Sequence, residues 1–266
     1  MFLTDDHLHT EFSIDGCETM ESVCEAAIER GLSEIAITDH MDIFSDKPYG
    51  SILDCELWYE KLTQVREKYR GRLMVHRGIE LGQPQSNPSE AKSFLDTYPL
   101  DFIIGSVHCM ENDIDVYEYD FSKVDAATLC PHYVEWLKDL ATGFDFDVMG
   151  HIIYPSRYML ERRGIHLDMM EYRDLYRELF ELLIPSGRGI ELNLSGLARG
   201  GGIAMPEMDL LKLYRECGGE IVTVGSDAHV TTQVGVVSAK GQEMLKEAGF
   251  KYIAYFEERK PQFIKL

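Results

Sequence analysis

The sequence is 266 residues long, with 45% hydrophobic and 27% charged residues, a balance typical of soluble globular proteins and unlike disordered ones. Its net charge of −20 argues against a nucleic acid partner, because such a charge repels a phosphodiester backbone. The first residues lack a basic segment followed by an apolar one, and no run approaches the ~18 apolar residues of a membrane span. We therefore expect one domain over residues 1–266, in the cytoplasm and without a membrane partner.

Short apolar runs rich in isoleucine and valine alternate with longer segments of helical period. Strands are predicted near residues 2–7, 34–38, 73–80, 101–105, 146–150, 189–193 and 221–225. Helices are predicted near residues 19–30, 54–69, 88–96, 125–141, 168–184, 206–217 and 235–247. Because each strand precedes a helix, the pattern predicts seven βα units around a parallel sheet.

Potential metal ligands follow most of the predicted strands, at the point where each strand ends. In a parallel barrel these ends meet at one rim, where catalytic side chains characteristically lie. Six of the nine histidines fall at such positions, which chance does not readily produce in register. The ligands at strand ends are His7, His9, His40, Glu80, His108, His151, Asp227 and His229.

His7 and His9 lie two residues apart, and alternation along a strand places both side chains on the same face. Such a pair can chelate one ion with two neutral imidazoles, although a single pair of this kind is more often incidental. Histidines mixed with carboxylates favour Zn, Mn or Fe over Ca or Mg. The whole set, rather than any one member, predicts a metal centre at the rim.

Together these motifs resemble those of the polymerase and histidinol phosphatase (PHP) superfamily, and in particular its histidinol-phosphatase branch. The matching segments extend over nearly the whole chain and are residues 7–10, 38–40, 78–80, 108, 150–151 and 225–229. The resemblance implies a distorted (βα)7 TIM-like barrel with three divalent metal ions at the C-terminal rim of the strands. That architecture agrees with the independent count of βα units.

The resemblance also implies which residues bind the first two ions, with Glu80 bridging between them. The ligands of the first ion would be His7, His9, Glu80 and Asp227. The ligands of the second ion would be Glu80, His108 and His151.

The third ion would be bound by Asp15, His40 and His229. Asp15 departs from the pattern, since some superfamily members have a histidine at this place. A carboxylate can still bind a metal, but it alters the preference of the third site. Without a metal, Asp15 would be a turn residue before Gly16.

The activity implied by the resemblance is hydrolysis of a phosphate monoester, most specifically of L-histidinol phosphate to histidinol and phosphate in histidine biosynthesis. Two ions sharing Glu80 can bridge a water and lower its pKa toward neutrality, so that a bridging hydroxide attacks phosphorus. Asp227 and His229 are the further catalytic candidates. Either could protonate the leaving alcohol, a role that the sequence leaves open.

Two arginines are placed to bind the phosphate of such a metabolite. Arg157 follows the fifth strand and Arg199 the sixth, in segments that resemble those carrying phosphate-binding arginines in the histidinol-phosphatase branch. Planar guanidinium groups suit phosphate through paired hydrogen bonds. Arg162 and Arg163 are nearby alternatives.

The amine and imidazole of the substrate require other partners. Asp42 and Asp46 follow His40, and Asp113 follows His108, so their carboxylates are substrate-binding candidates. Each also fits an ordinary solvated loop carboxylate.

Three other functions stay open. The nearest is a PHP phosphoesterase acting on another small phosphate monoester or on a nucleotide. A metal-binding barrel without turnover would keep the ligands but have an impaired phosphate pocket. An amidohydrolase-like enzyme would more often use a carbamylated lysine, and no predicted strand ends in lysine. The oligomeric state is not predicted.

Overall fold

A sheet of parallel strands lies at the centre of the computed structural model, which describes residues 1–45 and 54–266. Its strands are β1 (Thr4–Leu8), β2 (Glu34–Ile37), β3 (His40–Asp42), β4 (Met74–Gly82), β5 (Phe102–Ser106), β6 (Val148–Met149), β7 (Gly189–Asn193) and β8 (Val222–Gly225). Neighbouring strands follow the order β1-β2-β4-β5-β6-β7-β8, and the short β3 pairs with β4. A bridge between Leu8 and Ala228 links the two outer strands, so the seven strands form a nearly closed barrel.

Helices connect the strands. They are α1 (Met20–Glu29), α2 (Cys55–Tyr69), α3 (Pro88–Thr97), α4 (Ala126–Gly143), α5 (Tyr154–Arg163), α6 (Arg173–Leu183), α7 (Ser195–Ala198), α8 (Met208–Glu216) and α9 (Ser238–Glu247). The first four begin after a side chain that accepts a backbone N–H of the first turn, which satisfies a donor that the helix itself leaves unpaired. These capping residues are Thr19, Asp54, Asn87 and Asp125. Along the described ranges, no helix is both long and apolar enough to cross a bilayer.

The predicted parallel barrel of seven strands is confirmed, and several element boundaries are corrected. The helix predicted over 168–184 is α-helical only from Arg173 to Leu183, after a 3-10 turn at Met169–Tyr172. The sequence did not predict β3 or α5. Helix α5 has charged side chains at Arg157, Glu161 and two adjacent arginines, which obscures an apolar period.

A C-terminal hairpin that the sequence did not predict follows the barrel. Strands β9 (Tyr252–Glu257) and β10 (Lys260–Lys265) pair antiparallel to each other. At their turn the backbone N–H of Arg259 donates to the carbonyl of Asp101 at 2.9 Å, and its side chain contacts Asp147 at 2.7 Å. Because Asp101 and Asp147 directly precede β5 and β6, the hairpin lies across the N-terminal end of the barrel.

Part of the barrel interior at this N-terminal end is an apolar cluster, formed by Ala36, Phe102, Ile104, Val148 and Phe256. Ile104 pairs in register with Glu80 and with Val148, so these three side chains share the inner face of the sheet. Phe256 of the hairpin packs into the same apolar cluster and stacks on Phe102, with ring centroids 5.2 Å apart. The hairpin therefore closes the end of the barrel opposite the rim.

Replacing Phe256 with alanine should destabilise the protein by about 3–5 kcal/mol, the usual cost of removing a buried aromatic ring. Phe256 is 3% exposed, whereas Phe263 on the same hairpin is 47% exposed and provides the matched control. Phe263→Ala should cost less than about 1 kcal/mol. Urea unfolding measures both, and equal losses would show that the hairpin does not close the barrel as described.

Candidate metal centre

The predicted metal ligands converge at the C-terminal end of the barrel. His7 lies on β1, His40 begins β3 and Glu80 lies on β4. The others lie in the segments after β1, β5, β6 and β8. Contacts between side chains join all nine predicted ligands into one cluster: His7, His9, Asp15, His40, Glu80, His108, His151, Asp227 and His229.

Glu80 stands at the middle of this cluster. Its Oε2 atom lies 3.3 Å from Nε2 of His7, 3.6 Å from Nε2 of His9 and 2.9 Å from Nδ1 of His40. The carboxylate is 1% exposed, and this arrangement brings three rings from β1, its following loop and β3 onto a single oxygen. One oxygen of Glu80 is thus shared among ligands of neighbouring strands.

The other oxygen of Glu80 faces the far side of the barrel. Oε1 lies 3.1 Å from Nε2 of His108 and 2.8 Å from Nε2 of His151, and it accepts the hydroxyl of Ser106 at 2.7 Å. The two oxygens therefore point to two different groups of histidines. This is the geometry expected of a carboxylate that bridges two ions.

Asp15 and His229 form the outer part of the cluster. Oδ2 of Asp15 lies 3.1 Å from Nε2 of His229, and its Oδ1 lies 3.6 Å from Nε2 of His40. The side chain of Asp15 is 57% exposed, whereas that of Asp227 is 9% exposed and lies 3.4 Å from Nε2 of His9. The cluster thus extends from the barrel interior to its solvent-facing mouth.

Two carboxylates outside the predicted ligand set orient the rings of His7 and His108. Nδ1 of His7 lies 2.6 Å from Oε1 of Glu191, and Nδ1 of His108 lies 2.8 Å from Oδ1 of Asp42. A carboxylate accepts a hydrogen bond from a ring nitrogen, so each Nδ1 carries a hydrogen, and in the neutral ring each Nε2 presents its lone pair to the centre. The same arrangement holds neutral imidazoles on metals in many proteins.

Ser13 fixes the ring of His9 in the same way. Its hydroxyl donates to Asp39 at 2.8 Å and receives the backbone N–H of His40 at 3.0 Å. The remaining neighbour, Nδ1 of His9 at 3.1 Å, therefore donates to the Ser13 oxygen. Nε2 of His9 is left to face Glu80.

The residues present fit a bound cation. Nε2 of His7, Nε2 of His9 and Oε2 of Glu80 are buried and form no hydrogen bond to any described residue. Buried polar atoms without a partner are costly, and three electron-rich atoms facing one another repel unless a cation or a proton lies between them. The structure contains three groups of residues whose possible ligand atoms lie within 4.8 Å of one another inside each group. They are His7, His9 and Glu80; His40, Glu80 and His108; and His9, His40 and His229.

The charges of the centre are strongly coupled. Burial raises the pKa of Glu80, but His108, His7 and His40 outweigh it and hold that pKa well below its usual range. Burial lowers the pKa of His40, yet the Glu80 carboxylate raises it to about 9. Burial, His229 and His40 together lower the pKa of His9 well below its usual range. The acid is therefore ionised, and cations would replace the protons that some of these rings otherwise carry.

The backbone is strained at two of the ligands. His151 has a φ of 22° and Asp227 a φ of 51°, and residues other than glycine rarely occupy this left-handed region. Such conformations persist where the surroundings enforce them and often occur at functional sites. Gly225 precedes this turn, and a Cβ at that position would lie 2.4 Å from both Oε1 of Glu191 and Cβ of His7.

A cavity of about 560 Å³ opens over the cluster, and the structure places both predicted phosphate-binding arginines in its wall. Arg157 is 11% exposed, and its Nε donates to Glu161 at 3.0 Å. That contact uses only one donor, so the two terminal nitrogens can serve a ligand. Arg199, just after α7, is an exposed residue on the same cavity.

The predicted carboxylates for substrate have different surroundings. Asp42 lines the cavity, but its Oδ1 is engaged by His108 and by the amide of Gln83 at 3.0 Å. Asp113 does not line the cavity, and it accepts the N–H and hydroxyl of Ser45. Asp46 lies outside the described residues.

Sequence reasoning missed two carboxylates of this site. Glu191 lies on β7 between Ile190 and Leu192, and a carboxylate inside an apolar strand is a signal that could have identified it. Asp115 lines the cavity but lies in a loop, and no spacing in the sequence marks it. The remaining histidines lie elsewhere, as predicted, each near a glutamate: His76, His132 and His166.

Known proteins resemble this chain in sequence and in structure. The family model described as the PHP domain matches residues 5–195. The histidinol-phosphatase of Lactococcus lactis is 27% identical over 263 residues, covering 96% of this chain and 95% of the relative. The probable histidinol-phosphatase of Clostridium acetobutylicum is 28% identical over 257 residues, covering 96% and 97%.

A solved structure extends this likeness to the whole fold. The histidinol phosphate phosphatase of Lactococcus lactis, complexed with zinc, L-histidinol and phosphate, superposes with a TM-score of 0.84 at 25% identity. The match covers 98% of both chains. The similarity therefore includes all the strands that carry the metal-ligand cluster.

Glu191→Gln should weaken zinc binding about 10- to 100-fold, as is usual when the partner of a metal-binding histidine is replaced. The amide keeps the size of the side chain but removes the charge that orients His7. Competition with a chromophoric chelator measures the affinity. Glu181→Gln, an exposed position on α6, is the control and should bind zinc like the unmodified protein. Equal affinities for the two variants would contradict the orienting role.

Proposed function

The chain belongs to the PHP domain family, and from this premise we propose that it is a metal-dependent phosphatase that hydrolyses L-histidinol phosphate to histidinol and phosphate. The observation that carries the proposal is a buried carboxylate, Glu80, contacted by five histidines beneath a cavity with two arginines. Curated histidinol-phosphatases that match nearly the full chain support the choice of substrate. So does the solved relative with histidinol and phosphate bound.

The proposed cofactors are three divalent ions, with zinc, manganese or iron as the metals that mixed histidine and carboxylate ligands favour. The first ion would take His7, His9, Glu80 and Asp227. The second would take Glu80, His108 and His151, and the third Asp15, His40 and His229. The contacts of both oxygens of Glu80 support its bridging role. His40 also lies close to Glu80 and His108, so its ring could bind the second ion instead of the third.

The bound ions would supply a hydroxide nucleophile at neutral pH and offset the charge that develops on the phosphate. The protein residues position the reactants around them. Burial raises the pKa of Asp227, but His7 and His9 outweigh it and hold that pKa well below its usual range. Its carboxylate is therefore ionised, so it can bind metal or accept the proton of the attacking water, and any proton it then gives to the leaving alcohol would be that one.

Arg157 and Arg199 are the proposed phosphate-binding residues, since both line the cavity over the cluster. For Asp42, its contact with His108 supports an orienting role beside or instead of substrate binding. Asp115 is the added candidate for the cationic end of the substrate, because its carboxylate lines the same cavity. Its backbone is held near the centre by a bridge to Cys109.

The remaining parts of the proposal concern domain organisation, cellular location and partners. We infer that the chain acts as one PHP-type domain in the cytoplasm. Its partner would be a small phosphorylated metabolite rather than nucleic acid, because the net charge of −20 repels polyanions whereas a small phosphate can be drawn to local metal ions.

Metal-stripped protein should be inactive, and reconstitution with manganese or zinc should restore release of inorganic phosphate. In a panel of L-histidinol phosphate, nucleotides and sugar phosphates, the first should have the highest kcat/KM. A different preferred monoester would make the chain a PHP phosphatase of another specificity. Complete inactivity with bound metal would favour a barrel without turnover.

His9→Ala should lower kcat/KM by at least about 100-fold, because it removes a ligand from the cluster. His132→Ala is the matched control, since that ring lies on α4 against Glu111 and away from the cavity. The control should keep full activity. Unchanged hydrolysis by His9→Ala would refute the proposed mechanism.

Arg157→Met and Arg199→Met should each reduce kcat/KM for the monoester about 10- to 100-fold, the loss expected from charge-assisted hydrogen bonds to phosphate. Metal content should stay the same, since neither side chain lies among the ligand groups. Arg70→Met, an exposed position directly after α2, is the control. Steady-state kinetics with metal analysis provides the test, and unaffected kinetics in both cavity variants would remove these arginines from the site.

A further inference from the structure

An aromatic wall forms one side of the cavity. Tyr117, from the loop after β5, and Tyr158, from α5, both line the cavity. Their rings meet edge to face, with centroids 5.7 Å apart. Tyr158 also donates its hydroxyl to that of Tyr154, whose ring lies 4.8 Å from the ring of His151. The wall therefore connects the loop, the helix and the metal cluster.

Arg162 holds this wall from outside the cavity. Its guanidinium lies 4.5 Å from the ring centroid of Tyr117, 5.1 Å from that of Tyr158 and 5.5 Å from that of Phe121. It also donates to the carbonyl of Tyr119 at 3.4 Å. A cation above several aromatic faces is attracted to each of them, and the planar guanidinium suits such stacking.

The sequence predicts Arg162 as an alternative phosphate-binding residue, but the structure places it outside the cavity lining. Arg157, on a different face of the same helix, does line the cavity. Arg157 itself lies 5.2 Å from the ring of Tyr158. Two arginines thus contact Tyr158, one from the phosphate side and one from behind the wall.

We propose that Arg162 is a positioning residue for substrate specificity, which sets the aromatic wall of Tyr117 and Tyr158 against the flat ring of the substrate. The inference rests on the proposed function, because it requires a phosphate monoester that carries an aromatic ring. Phosphate and metals fix one end of that substrate, so the wall beside them meets the other end. A flat ring gains from stacking on an ordered aromatic face, and little from a disordered one.

Two features connect the loop to this role. Val116 donates its N–H to the carbonyl of His108 at 2.9 Å, so the loop that carries Tyr117 is anchored next to a metal ligand. The ring of Tyr117 is nevertheless 57% exposed, and its aromatic and cation–π contacts within residues 1–45 and 54–266 are with Tyr158 and Arg162. Loss of Arg162 would leave the loop attached but the ring less ordered.

The test compares the metal-loaded protein and Arg162→Met on two monoesters, L-histidinol phosphate and the ring-free O-phosphoethanolamine. The variant should raise KM for histidinol phosphate about tenfold, the size of a partly desolvated cation–π interaction, with kcat changed less than twofold. KM for O-phosphoethanolamine and the metal content should stay within twofold of the unmodified protein. Arg162→Lys, which keeps the cation, should recover part of the loss.

A double-mutant cycle shows whether Arg162 acts through the wall. After Tyr117→Leu, the further change Arg162→Met should raise KM for histidinol phosphate much less than it does alone. Arg173→Met, on the exposed start of α6, is the control and should leave both substrates unaffected. Equal losses on the two substrates, or additive effects in the cycle, would overturn the inference. Failure of the unmodified protein to hydrolyse histidinol phosphate would instead overturn the proposed function.

Discussion

The structure of this protein depends on keeping one ionised carboxylate inside a barrel. Glu80 is 1% exposed, and an isolated buried carboxylate would cost several kcal/mol. Positive charge close to both of its oxygens offsets that cost, and the neighbouring strands provide it through histidines and the cations they can bind. The arrangement of the strands matters because it determines which histidines reach Glu80. A parallel barrel is a fold in which separate chain segments can converge on one such group.

The Glu80 carboxylate alone would not make a metal site without the groups that orient the histidine rings. Glu191 and Asp42 accept hydrogen bonds from His7 and His108, and Ser13 accepts one from His9, so the Nε2 atoms of three rings face the centre. Glu191 also accepts the N–H of His151 at 3.0 Å, which supports its strained backbone. The close approach at Gly225 explains why a larger residue would disturb this packing. Metal affinity is therefore a property of two layers of side chains.

The sequence predicted the barrel and the convergence of the candidate ligands because both follow short repeating rules. A ligand at the end of a parallel strand has a known location, so His7, Glu80 and Asp227 could be brought together without coordinates. The parts that were missed depend on contacts distant in sequence. The hairpin is held by Arg259 against Asp147, and nothing in the sequence of its own strands indicates that partner. Asp115 reaches the cavity only through the path of a loop.

The closed N-terminal end has a consequence for the order of events in the proposed reaction. In the described part of the chain, Phe256 and its neighbours lie across that end of the barrel, so substrate would enter and both products would leave through the mouth at the rim. Phosphate would lie deeper, on the metals, with the alcohol above it. In that arrangement the alcohol would depart first, and phosphate would dissociate from the form of the enzyme that next receives substrate. Accumulated phosphate would compete directly with substrate, whereas accumulated alcohol would reverse the preceding step.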